Sequence, residues 1–170
     1  MANADDDGAV PSAPPEPSTP PEPPPPRRYG DRGTSEVGIG LGYSSAIGFV
    51  GAGAFRHFVI DGVAPGLEAT YVSGGTSGIR YGLLLGALRL VPVRTGSFAL
   101  ALTGRAGRVL IGDHADGWGV GGAAGVLILF APTAGLELGY EALRLYPARF
   151  CADLSSCVIH GPVVGVRVGF

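Results

Sequence analysis

Lysine is absent: all 12 basic side chains are arginines, set against 14 acidic residues for a net charge of −2. No block of basic residues exists that could neutralise a nucleic-acid backbone, so nucleic-acid binding is excluded as a function class. Charge of either sign is scarce, at 15% of residues against 46% hydrophobic, where an ordinary soluble domain carries about 25% charged residues. Something other than water is therefore expected to face part of this chain. A basic, apolar leader is also missing, because Met1 is followed by Ala-Asn-Ala-Asp-Asp-Asp. That start is expected of a cytoplasmic chain or of a processed form behind an added methionine. The two cysteines, Cys151 and Cys157, favour the second reading, since their spacing suits a loop disulfide formed in an oxidising compartment. No Walker pattern or nucleotide-binding strand-turn-helix context is present, so phosphate binding by a glycine-rich loop finds no support.

What is abundant divides the chain in two. Ten of the 15 prolines lie in residues 1–33, whereas 27 of the 30 glycines follow in 34–170. The first stretch, with Pro23-Pro24-Pro25-Pro26 among Ala, Ser, Thr and acidic residues, cannot bury enough apolar surface to offset its ordering entropy. It is expected to be a disordered, polyproline-II-like tail acting as a spacer, with a proline-motif ligand before Arg27-Arg28 as the functional rival.

From Thr34 onward the apolar residues recur with period two. Val37, Ile39, Leu41 and Tyr43 alternate with Glu36, Gly38, Gly40 and Gly42; Leu67, Ala69 and Tyr71 alternate with Glu68, Thr70 and Val72. Ile79, Tyr81, Leu83 and Leu85 are read as one face against Arg80, Gly82, Leu84 and Gly86, and Phe98, Leu100 and Leu102 as one face against Ala99, Ala101, Thr103 and Arg105. Trp118 to Phe130, Leu136 to Tyr140 and Val164 to Phe170 continue the pattern, and a less regular run over 47–58 places Phe49 and Phe55 opposite Val50, Ala52, Ala54 and Arg56. These make eight strands over 34–170, about 17 residues per strand and connection, which suits an antiparallel meander of strands of about 9–11 residues, the length that crosses a bilayer at a tilt. Turn signals fall at Asp61-Gly62 with Pro65-Gly66, at Gly74-Gly75, over 92–96 and 113–117, and at Pro132. A spanning helix over Gly117–Leu136 is the rival, but that stretch holds six glycines and Pro132, and each Gly costs a helix about 1 kcal/mol relative to Ala.

The faces opposite the bulky residues decide which solvent each meets. In a soluble barrel they would be long and hydrophilic; here they are mostly Gly and Ala, with Glu36, Glu68, Glu137 and Glu141 balanced by Arg56, Arg80, Arg105 and Arg167. Four acids and four bases on a small-residue face are expected to pair inside a narrow lumen, because buried ions are tolerated only with partners. The alternative is an ordinary exposed face around a conventional core. Tyr43, Tyr71, Tyr81 and Trp118 fall at one end of the expected strands and Phe98, Phe130 and Phe170 at the other, the placement of two aromatic girdles at membrane interfaces.

This pattern resembles the small eight-stranded outer-membrane barrels of the OmpA/OmpX type over residues 34–170. Its most specific element is the C-terminal Val164, Val166, Val168 and Phe170, similar to the signal read by the barrel assembly machinery. The resemblance implies an all-β, eight-stranded antiparallel up-and-down transmembrane barrel in a Gram-negative outer membrane, monomeric among membrane lipids, with both termini periplasmic and longer outer loops. The chain departs from that class in having no folded peptidoglycan-binding domain after the barrel. No cofactor or metal is expected. Cys151, Cys157 and His160 match no zinc spacing, and eight strands leave an interior filled by side chains rather than a pore. The expected role is structural or interactive, through loops presented on the barrel, with a Cys151–Cys157 bond bracing the longest of them over 145–159. Two other readings stay open: a soluble lipocalin-like carrier, and a lipid-modifying barrel enzyme using His57, His114 or His160 with Ser155 or Ser156 as nucleophile.

Overall fold

The computed structural model describes residues 26–44, 48–73, 80–111, 114–146 and 157–170, without the side chains of residues 73, 80, 81, 111 and 114–116. Among the described residues there are eight strands and no helix: β1 Ser35–Ser44, β2 Gly48–His57, β3 Val63–Ser73, β4 Arg80–Arg94, β5 Phe98–Ile111, β6 His114–Ala131, β7 Ala134–Tyr146 and β8 Val158–Gly169. Each pairs antiparallel with its neighbours in sequence, and β8 returns to β1 to close an up-and-down barrel. Closure runs from Glu36↔Gly169 to Gly42↔Val163. It is finished by the last residue, whose amide and carbonyl exchange hydrogen bonds of 2.9 and 2.8 Å with Ser35. Among the described residues no strand edge of the sheet is left unpaired, which satisfies the backbone without help from outside the wall.

The meander gives the barrel two unlike ends. One, the loop rim, carries the connections 45–47, 74–79, 112–113 and 147–157; the other, the floor rim, carries 58–62, 95–97, 132–133, the segment entering β1 and the end of β8. The period-two reading places the faces of seven strands as found. The exception is β4: Leu83, Leu85 and Ala87 are buried inside, whereas Leu84, Leu88 and Leu90 are exposed outside, the reverse of the expected faces.

Prolines also behave differently from the turn reading. Pro65 and Gly66 lie within β3; pairing of β2 to β3 ends at Arg56↔Gly66, so the missing N–H of Pro65 falls just beyond the β2 ladder. Pro92 sits where the β4–β5 register shifts between Leu90 and Val93, a bulge that removes the need for its amide. The true turn precedes β3 and depends on Gly62, at φ +72°, where a side chain would also meet the Val91 carbonyl. Its amide donates to Gly30 (2.8 Å) and its carbonyl accepts from Val91 (2.7 Å).

Residues 26–33, assigned by composition to the tail, are built into the floor. Tyr29 is buried against Phe58, edge to face at 5.6 Å, and its amide donates to the Pro132 carbonyl at 2.8 Å. Residues 1–25 lie outside the described residues.

Candidate functional site

The inner face of the barrel is filled in three layers. Nearest the loop rim, Val50, Val72, Leu83, Leu85, Val109, Leu143, Leu145 and Ile159 form an apolar cluster. Nearest the floor, Tyr29, Phe58, Ala64, Val91, Ala99 and Leu127 form another. Between them lies the charge.

Seven ion pairs join eight side chains into one alternating chain. Arg167 meets Glu137 (2.5 Å), Glu137 meets Arg89 (3.0 Å), and Arg89 meets Glu36 (3.5 Å). Glu36 in turn meets Arg56 (2.5 Å), Arg56 meets Glu68 (3.0 Å), Glu68 meets Arg105 (2.7 Å), and Arg105 meets Glu141 (2.8 Å). Glu36 is wholly buried and Arg56 and Arg89 are each 1% exposed, so these three must find their partners within the protein. The count is four acids to four bases. Strand β6 supplies none of them: its inward residues include Gly119, Gly121, Ala123 and Gly125, leaving room for long side chains from the other walls. Within the network lies a cavity of about 30 Å³ bordered by Arg56, Glu68, Arg105 and Glu141, room for about two water molecules.

Seven of the eight expected lumen charges therefore meet in one network. The side chain of Arg80 lies outside the described residues, and with the faces of β4 reversed it is Arg89 that carries the charge of that strand. Sequence reasoning missed it because Leu83-Leu84-Leu85 carries no parity, although Leu88 and Leu90 flanking Arg89 mark it as facing away from them. Tyr29 was also missed. Its hydroxyl donates to the Glu36 carboxylate, its ring lies 6.0 Å from the Arg89 guanidinium carbon, and burial pushes its phenol well above the usual tyrosine range despite the opposing pull of Arg89.

The outer face is the converse. Ile39, Leu41, Phe49, Phe55, Leu67, Leu88, Val126, Ile128 and Leu138 are all exposed. Tyr43, Tyr71 and Trp118 stand on this face toward the loop rim, where Tyr43 packs on Phe49. Phe98, Phe130 and Phe170 stand on it toward the floor rim, while the Tyr81 side chain lies outside the described residues. Val164, Val166 and Val168 also face outward, on the closing strand. Of the histidines, His57 Nδ1 lies 3.1 Å from Ser35 Oγ and His160 Nδ1 lies 2.6 Å from Tyr140 Oη, both pairs outside the lumen. No carboxylate is hydrogen-bonded to either ring among the described residues, so neither pair is a triad. The side chain of His114, and all of Ser155, Ser156 and Cys151, lie outside the described residues, and with Cys151 the expected bond to Cys157. Among the described residues no group of His, Cys, Asp and Glu could hold a metal ion.

Among solved structures the chain is similar to Neisserial surface protein A, with 17% identity, a TM-score of 0.57 and coverage of 81% of this chain and 95% of that one. It is similar also to a chain from the de novo design of transmembrane β-barrels, with 13% identity, a TM-score of 0.53 and coverage of 82% of this chain and 98% of that one. The fold is a small up-and-down barrel. No family model matches the chain, and no curated protein matches its sequence.

Proposed function

We propose that this protein is an integral outer-membrane barrel whose role is structural or interactive: a closed, side-chain-filled scaffold holding its loop rim at the membrane surface. One observation carries the reading. The exposed large hydrophobic residues, such as Ile39 at 66%, Leu41 at 65%, Phe49 at 71% and Phe130 at 69%, encircle the barrel, whereas the eight charged side chains of the network are turned inside. Monomeric soluble proteins rarely expose contiguous apolar patches beyond about 300–600 Å², and a belt around eight strands far exceeds that. Hydrocarbon is the solvent that such a wall fits.

The dimensions agree. From Phe98 to Arg108 is ten residue steps along β5, which at about 3.4 Å per step and a tilt of about 40° rise about 26 Å, close to the apolar height of transmembrane barrels. Likeness to the OmpA/OmpX type, periplasmic termini and a surface partner for the loops belong to this proposal. The lipocalin-like alternative requires an internal ligand cavity, and among the described residues the cavity within the charged network, at about 30 Å³, is too small for one.

The test is migration of detergent-folded protein on a gel before and after boiling. A closed membrane barrel runs differently when heated. An unchanged band, or a folded monomer in buffer without detergent, refutes the assignment.

A further inference from the structure

The lumen pairs its own charges, but the outer wall does not. Toward the loop rim two arginines point outward, Arg108 on β5 and Arg144 on β7, both exposed and neither in an ion pair among the described residues. Each guanidinium lies over an aromatic ring: Arg108 is 4.8 Å from the centroid of Trp118 and Arg144 is 5.2 Å from that of Tyr146. Stacking of this kind holds the planar cation in place while leaving its N–H edge uncommitted. We propose that this patch is a binding site for the phosphate-bearing headgroup of a lipid, with Arg108 and Arg144 as its donors.

The register brings the parts together. Trp118 pairs with Arg108 on one side and with Tyr146 on the other, and Val120, the next outward residue of β6, pairs with Arg144. The two arginines are thus two strands and one outward step apart, about 12 Å between Cα atoms, which two long side chains span to reach one headgroup. Their height suits that ligand, since Arg108 stands about 26 Å above Phe98 on the wall described above, at the level of headgroups rather than of acyl chains. Charge complementarity selects the occupant: no carboxylate in the described outer wall answers these cations, and guanidinium binds phosphate oxygens bidentately. A lipid also places its acyl chains along the outward Val120 and neighbouring apolar wall, which free phosphate cannot do.

This inference rests on the membrane reading, and the experiment separates the two. Detergent-folded protein, first shown to be heat-modifiable, is titrated with phosphatidic acid, phosphatidylglycerol, phosphatidylcholine or inorganic phosphate, and bound lipid is counted by native mass spectrometry. Phosphatidic acid, with its phosphate monoester, is expected to be retained about tenfold better than phosphatidylcholine, and the R108Q/R144Q double variant to bring the two within about twofold. An R108K/R144K variant, keeping charge but losing the fork, is expected to fall between them. Because both side chains are exposed, these variants are expected to keep the heat-modifiable band. Equal lipid retention by wild type and the glutamine variant overturns the site while leaving the barrel assignment intact. Competition by inorganic phosphate at equal concentration overturns the lipid as ligand, and failure of heat modification in the wild type overturns the membrane reading itself.

Discussion

Replacing Arg89 by methionine is the sharpest probe of the lumen. The side chain is 1% exposed and bridges two carboxylates on different walls, Glu137 at 3.0 Å and Glu36 at 3.5 Å. Without it the network holds four acids and three bases; Glu36 keeps Arg56 and Tyr29, and Glu137 keeps Arg167. Breaking a buried pair by removing one partner costs about 3–5 kcal/mol, because the stranded charge has no water to return to. The R89M/E137Q double variant restores equal counts at three and three, so its loss should be smaller than the sum of the two single losses. Arg94 is the internal control: its pair with Asp31, also 3.0 Å, leaves both side chains about one-third exposed, and R94M should cost no more than about 1 kcal/mol. Urea unfolding in detergent or bilayers, followed by Trp118 fluorescence, measures wild type and the R89M, E137Q, R89M/E137Q and R94M variants. If R89M costs no more than R94M, the lumen charges behave as solvated surface charges and the reasoning fails.

Three further outcomes follow from the same geometry. Tyr29→Phe removes the donor to Glu36 and should cost about 1–3 kcal/mol at neutral pH. The Tyr29 phenol titrates higher in the folded than in the unfolded protein, so its contribution is complete below about pH 10 and declines above it. Wild-type stability should therefore fall faster than that of Tyr29→Phe above that pH, by up to about 1.4 kcal/mol per pH unit, and parallel curves would contradict the burial argument. A side chain at Gly38 would run into the Arg167 guanidinium; Gly38→Leu should cost about 1–3 kcal/mol, less when combined with Arg167→Ala, and additive losses in urea would count against the contact. Because apolar layers cap the charges at both ends, the reconstituted protein should give no conductance steps in a planar bilayer, and regular steps would disprove a filled lumen.

Alternation made the strands and their faces legible, since a side chain's face is fixed by parity alone once a strand is recognised. It failed where parity is silent: three consecutive leucines at 83–85 let Arg80 at one end of β4 outweigh Arg89 at the other. Period two also says nothing about height. Leu143 and Leu145 share their inward parity with Glu137 and Glu141, yet lie one layer higher, so the apolar caps on the network emerge only when the registers of all eight strands are combined. Composition hid Tyr29 for a different reason. It stands just beyond the proline run, and its burial depends on Phe58, Pro132 and Arg89, far along the chain and brought to it by closure.

The orientation of the wall is the central claim, and the single tryptophan reports on it without any substitution. Trp118 stands on the outer face, about half exposed, near the loop rim. In bilayers of brominated phospholipids its fluorescence should be quenched strongly, most by bromines placed high on the acyl chain and less by those near the bilayer centre, while aqueous iodide quenches weakly. Quenching by iodide with no response to brominated lipid at any depth would show that this face meets water, and would contradict the account.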